Sequence, residues 1–156
     1  MSPKYEIPEY LLVVDPGKTT GIALVHTVGG VSDIVWSAEL DWMDSCNLIN
    51  KTALQYGSRL RILCETFVIT PMTAKNSAAP WSLEMIGVIR YLAAAYGVEQ
   101  LVFQTPQKAK NFCPNPRLKD VGFWHRGGGG HARDALRHAV THLVDCGWHH
   151  EKLLQK

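Results

Sequence analysis

Four residues of this 156-residue chain carry chemical promise by type and spacing: Asp15, Glu65, His131 and Asp134. Asp15 closes the apolar run LLVV and precedes Pro16-Gly17; Glu65 closes LRILC; His131 and Asp134 stand three apart in HARDALRHAVTHLVDC. Taken singly, each has an ordinary reading. An Asp before a glycine turn is commonly a turn residue, and a Glu at a strand end is commonly solvated. Asp134 can pair with Arg137 or His138 along a helix, and His131 can be a polar helix end. Together they are more specific: three acids from separate elements, each at an apolar element's end, with a histidine one helical turn from the third. Clustered carboxylates repel, so a fold that gathers them calls for divalent cations. Oxygen-rich ligation favours Mg²⁺ or Mn²⁺ over zinc.

The phrase Gly17-Lys18-Thr19 invites a different reading, the close of a phosphate-binding loop. Such a loop needs a glycine five residues before the Gly-Lys pair, where this chain has Leu12. It must also lead into a helix that points its N-terminus at the phosphates. Here Gly21 opens GIALVHT, a strand pattern. The phosphate-loop reading fails on both counts.

The elements that must position the acids follow from periodicity. Residues 9–15, 21–27 and 31–39 read as a meander of three strands with a Gly29-Gly30 turn. DWMDSCNLINKTALQYG reads as a helix, with Asp41 as N-cap and Gly57 ending it. LRILCE is a short buried strand, and TFVITPMTAKNSAAP a loop. WSLEMIGVIRYLAAAYG is a helix with Met85, Ile86, Ile89, Leu92, Ala93 and Tyr96 on one face. EQLVFQ is a strand; residues 105–130 form a Pro- and Gly-rich stretch whose GGGG at 127–130 reads as a hinge. In the last helix Ala132, Ala135, Leu136, Ala139, Val140 and Leu143 form the core stripe. His131, Asp134 and His138 share an adjacent stripe, and Arg133 and Arg137 an outward one. This order predicts one α/β domain spanning 1–156: a mixed five-stranded sheet, three strands as an antiparallel meander and the rest parallel, with helices on both faces. Side-by-side strand ends would then bring Asp15 and Glu65 into one crevice.

Composition agrees with a folded globule: 46% apolar and 19% charged residues. No apolar run approaches a membrane span. MSPKYEIPEY holds prolines and acids where a signal peptide needs an apolar stretch, which predicts a cytoplasmic protein. The four cysteines (46, 64, 113, 146) form no Cys-x-x-Cys pair and read as free thiols, Cys64 buried. The net charge of +2 hides an asymmetry. Residues 1–100 carry seven basic and ten acidic side chains, whereas 101–137 carry seven basic and two acidic. A basic segment beside an acidic site suits a polyanion held over metal-binding carboxylates, although alone it is as consistent with a solvated loop.

These residues also resemble a family. VVDPGKTTGIALV is similar to the first strand, Asp-Pro-Gly turn and second strand of the RuvC-type Holliday junction resolvases, within the ribonuclease H-like nucleases. LCETF resembles their second acidic strand, Ala74-Lys75-Asn76 a tripeptide before the long helix, and GGHARDALRHAVTHL the closing helix. The small phage members are the most similar. The resemblance implies a two-metal nuclease, with Asp15, Glu65, His131 and Asp134 as ligands of two Mg²⁺ or Mn²⁺ ions about 4 Å apart. It implies lysines that neutralise the scissile phosphate, for which Lys110 and Lys119 stand in the right segment. It implies an aromatic wedge after the second acid, here Phe67, one residue earlier than expected. Lys75, Lys108, Arg117 and Arg126 complete the expected DNA surface. The turn after Asp-Pro-Gly is one residue shorter than in bacterial enzymes, and the loop after Glu65 is longer.

The implied activity is cleavage of four-way junctions and other branched DNA by a homodimer, in the host cytoplasm if the chain is phage-encoded. Three alternatives stay open at this point: a looser flap, fork and branch endonuclease, an RNA–DNA hybrid nuclease of the same fold, and an inactive DNA-binding relative.

Overall fold

The computed structural model describes residue 3, residues 5–75 and residues 79–154; Asn76 of the Ala-Lys-Asn tripeptide lies outside them. Five strands form one sheet: β1 (Tyr10–Asp15), β2 (Thr19–Val28), β3 (Val31–Asp41), β4 (Leu60–Glu65) and β5 (Gln100–Gln104). Their spatial order is β3-β2-β1-β4-β5. The β1–β2 and β2–β3 pairs are antiparallel, and the β1–β4 and β4–β5 pairs are parallel. The mixed five-stranded sheet expected from the sequence is therefore the one observed.

Among the described residues six α-helices accompany the sheet: α1 (Trp42–Tyr56), α2 (Ala79–Ala95), α3 (Pro106–Phe112), α4 (Asn115–Asp120), α5 (His131–Asp145) and α6 (Glu151–Leu154). The expected caps of α1 hold: the Asp41 carboxylate accepts from the Asp44 N–H at 2.9 Å, and Gly57 at positive φ ends the helix. The 105–130 stretch differs from expectation, because it contains two short helices. Its prolines start them instead of breaking them. Pro106 follows the N-cap Thr105, and Pro116 sits in the first turn of α4, where a missing N–H costs nothing.

Central strand β1 is buried on both faces, and its alternation divides the core in two. Leu11 and Val13 pack with α5 residues Ala135, Leu136, Ala139, Val140 and Leu143. Leu12 and Val14 pack with Ile49 of α1 and Met85 and Ile89 of α2. The expected core stripe of α5 is fully buried, and so is Cys64. Arg137 departs from its expected outward position. It is only 8% exposed, because α4 covers that side of α5 and Asn115 accepts a hydrogen bond from its guanidinium at 2.6 Å. All four cysteines are free thiols. Among the described residues no helix is long and apolar enough to cross a membrane.

Candidate active site

One transverse line of residues at one end of the sheet organises the site. Glu39 of β3 pairs with Gly21 of β2, Gly21 with Asp15 of β1, and Glu65 of β4 with Gln104 of β5. The β1–β4 register pairs Val14 with Cys64, so the next residues, Asp15 and Glu65, emerge side by side. Period-two alternation then sets the face. Val13, Leu63 and Val102, each two residues before Asp15, Glu65 and Gln104, lie on the α5 side. Glu39 joins that face only because of a β-bulge. Leu24 pairs with Trp36 but Val25 pairs with Ile34, leaving Val35 extra. Ile34 packs toward α5, while Trp36 and Ala38 pack toward α1 and α2. The inserted residue reverses the alternation and turns Glu39 toward α5.

The N-terminus of α5 rests on this line. A β carbon on Gly21 would lie 1.9 Å from the His131 carbonyl oxygen, so only glycine allows the approach. The helix has no side-chain cap of its own, since its N-cap residue is Gly130. Glu39 supplies one from β3. Its two carboxylate oxygens accept from the N–H groups of Gly129 (2.6 Å), Gly130 (2.7 Å) and Ala132 (3.1 Å). A carboxylate is the group that a helix N-terminus favours. Burial raises the Glu39 carboxyl, but the three backbone bonds outweigh it and leave it below its ordinary value. The glycine run expected as a hinge is therefore clamped at its helical end.

Each sequence-identified acid finds a protein partner here. Asp15 Oδ2 lies 3.1 Å from His131 Nδ1. Glu65 Oε2 lies 2.7 Å from Nε2 of His138, whose Nδ1 lies 2.7 Å from Gln104 Oε1. Asp134 faces Arg137 at 3.5 Å and Lys110 at 3.8 Å. Asp15 is raised above the ordinary carboxyl value, first by burial and then by the negative fields of Glu65 and Asp134, against the His131 hydrogen bond. His131 is raised in turn, chiefly by its hydrogen bond to Asp15.

The remaining sequence candidates are distributed around this centre. Lys119 stands 4.5 Å over the Trp124 ring, which Arg133 also approaches at 5.2 Å. Arg117 is spent on the α3–α4 junction, donating to the Phe112 carbonyl. Lys108 pairs with Asp145 at the far end of α5. Lys75 and Arg126 are exposed. Phe67 is half-buried, whereas Val68 (63%), Ile69 (63%) and Met72 (83%) present the exposed apolar surface after Glu65. That loop is internally tied: Thr73 Oγ1 accepts from the Thr70 N–H at 2.7 Å, and Thr70 Oγ1 from the Thr73 N–H at 3.1 Å.

Three carboxylates and an imidazole form an oxygen-rich donor set suited to Mg²⁺ or Mn²⁺. Asp15 is held above its ordinary value first by burial and then by the charges of Glu65 and Asp134, a condition that a bound cation would relieve. As they stand, no three His, Cys, Asp or Glu side chains among the described residues are gathered closely enough to hold an ion. His131, His138, Lys110 and Arg137 occupy the carboxylates instead.

Glu39, Gly21, His138 and Gln104 were not singled out as site residues from the sequence. Strand alternation read together with the β4–β5 register would have placed Gln104, and His138 already shared the stripe of Asp134. Glu39 was hidden by the bulge.

In sequence, the chain matches no family profile and no curated protein. In structure it is similar to RuvC of Thermus thermophilus, at 16% identity over 89% of this chain and 97% of that one, with a TM-score of 0.63. The same protein in complex with a Holliday junction substrate matches at 16% identity over 85% and 90%, with a TM-score of 0.61. The yeast mitochondrial Holliday junction resolvase matches at 14% identity over 94% of this chain and 80% of that one, with a TM-score of 0.59. The sheet ordered β3-β2-β1-β4-β5, with α5 packed across it, is thus the fold shared with RuvC and with the yeast mitochondrial Holliday junction resolvase.

Proposed function

We propose that the chain is a divalent-metal-dependent endodeoxyribonuclease that resolves Holliday junctions and related branched DNA. The observation that carries the reading is geometric: Asp15 and Glu65 emerge side by side from β1 and β4, and the first turn of α5 brings His131 onto Asp15 and carries Asp134. Asp15, Glu65, Asp134 and His131 would hold the metal. When bound, a pair of Mg²⁺ or Mn²⁺ ions supplies activation of a water and neutralisation of the leaving 3′ oxygen. The protein's own part is to hold the four donors on rigid elements, two strand ends and a clamped helix start. Lys110, whose ammonium lies 3.8 Å from Asp134, would meet the scissile phosphate. Lys119, Arg126, Arg133 and Lys75 supply sequence-independent phosphate attraction. Phe67 with Val68, Ile69 and Met72 offers an apolar surface to bases left unpaired at a branch point. That the structural relatives are described as Holliday junction resolvases, one of them bound to a junction, supports this substrate class.

The test is a Mg²⁺-dependent cleavage panel of four-way junction, flap, fork, linear duplex and RNA–DNA hybrid. The proposal expects junction cleavage by the parent and its loss in Asp15→Asn, with junction binding retained. Preference for flaps and forks would favour the looser branch nuclease, and no cleavage with any metal would leave only a DNA-binding role.

A further inference from the structure

His138 is a titratable side chain buried in α5 on the stripe that carries Asp134. It is 1% exposed and lies one turn beyond Asp134. A buried imidazole needs partners for both ring nitrogens, and both are provided at 2.7 Å. Nε2 meets Glu65 Oε2, and Nδ1 meets Gln104 Oε1. These two partners are themselves paired across β4 and β5, at the same end of the sheet as Asp15.

We infer that His138, held by Gln104, is a positioning residue that fixes the Glu65 carboxylate for metal binding. An ionised carboxylate only accepts hydrogen bonds, so Nε2 must carry the proton shared with Glu65. Nδ1 then either accepts or donates, and an amide serves both cases because its O and N can exchange places. Gln104 therefore holds the ring in one orientation whichever form it takes, and the assignment needs only the Nε2 proton. One oxygen of Glu65 is committed to His138, which leaves the other to a cation. A ligating carboxylate is oriented in this way by an outer partner whose loss typically weakens metal affinity or activity about 10–100-fold. Truncating His138 would leave Glu65 free to rotate and Gln104 buried without its partner.

The inference rests on the reading of Glu65 as a metal ligand, and the experiment separates the two. Mn²⁺ binding to the DNA-free protein is followed by electron paramagnetic resonance, and junction cleavage is titrated with Mg²⁺. His138→Leu should weaken metal binding and shift the Mg²⁺ midpoint upward about 10–100-fold, with DNA affinity unchanged. Gln104→Leu leaves the imidazole in place and should give a smaller shift in the same direction. The double variant should be no worse than His138→Leu, a non-additivity that general core damage does not produce. In the parent, long-range ¹H–¹⁵N spectra should show a proton on Nε2 of His138. Should His138→Leu keep the parent's metal affinity, or Nε2 be unprotonated, the positioning role is wrong while the nuclease reading stands. If His138→Leu does not fold, an unchanged metal affinity in Gln104→Leu is equally fatal to it. A parent that neither binds Mn²⁺ nor cleaves DNA overturns the nuclease reading and the inference together.

Discussion

Gly21 of β2 and His131 of α5 meet backbone to backbone, with no room between them for a single methyl group: an added β carbon would lie 1.9 Å from the His131 carbonyl oxygen and 2.7 Å from the Ala132 nitrogen. This contact sets how near the last helix comes to Asp15, and so whether His131 reaches it. Gly21→Ala should lower stability by about 1–3 kcal/mol or more, because neither clashing backbone can step aside cheaply. It should also reduce cleavage beyond what stability explains, by lifting His131 and Asp134 off the sheet. Thermal unfolding and cleavage at a temperature where the variant is folded are the checks; a parent-like melt would contradict the contact.

Glu39 clamps the start of α5 through three backbone N–H groups. Glu39→Ala should cost about 1–2 kcal/mol, the usual scale of a lost N-cap, or a few degrees in Tm for a chain of this size. The pH dependence has a definite sign. The folded carboxyl lies below its unfolded value of 4.5, so its stabilising contribution is present above about that pH and is lost as pH falls through the folded value. The melting temperatures of parent and Glu39→Gln should differ most near neutrality and converge in acid. A constant gap down to the acid limit would show that the charge plays no part.

Lys110 and Lys119 should separate in their kinetic effects. Lys110 neighbours Asp134, whereas Lys119 is engaged on the Trp124 face with Arg133. Lys110→Ala should lower the rate at saturating DNA by about 10²-fold, the scale of losing a positioned electrostatic donor. Lys119→Ala should mainly weaken binding and reduce the slope of log K against log salt by about 0.9. Single-turnover rates and salt titrations on the same junction distinguish them, and the reverse pattern would exchange their roles.

Paired cleavage of a symmetric junction requires two sites, hence two chains. Met85 and Ile89 of α2 are consumed by the core. The outward stripe of the same helix carries Leu83 (41% exposed), Gly87, Tyr91 (72%) and Ala94, which recur at helical spacing. A Leu83→Glu/Tyr91→Glu variant should remain folded, sediment as a monomer and nick a cruciform plasmid without linearising it. A parent that is already monomeric on junction DNA and still linearises the plasmid would remove the homodimer from the scheme.

What the sequence determined by itself was local and periodic. Short apolar runs in LLVVD and LRILCE gave two buried strands ending in acids, and the 3.6-residue period of HARDALRHAVTHL gave a core stripe with Asp134 beside it. Asp41 and Gly57 marked the ends of α1, because capping depends on residues adjacent in the chain. These features placed Asp15, Glu65 and Asp134 as candidates and gave the sheet its composition. Tertiary structure alone decided their partners. Glu39 faces α5 because one extra residue in β3 inverts an alternation, a register event between strands that neither strand's own pattern records. The prolines at 106 and 116 could have broken a helix or begun one, and packing against α5 settled the matter. Arg137 is buried because α4 closes over it. His138 could have been a solvated helix residue, and it is buried between two partners because β4 and β5 deliver Glu65 and Gln104 to its two nitrogens. Spacing along a chain fixes which residues share a face, whereas the hydrogen bonds that orient a site join residues 34 to 116 positions apart, and only the folded register brings them within reach.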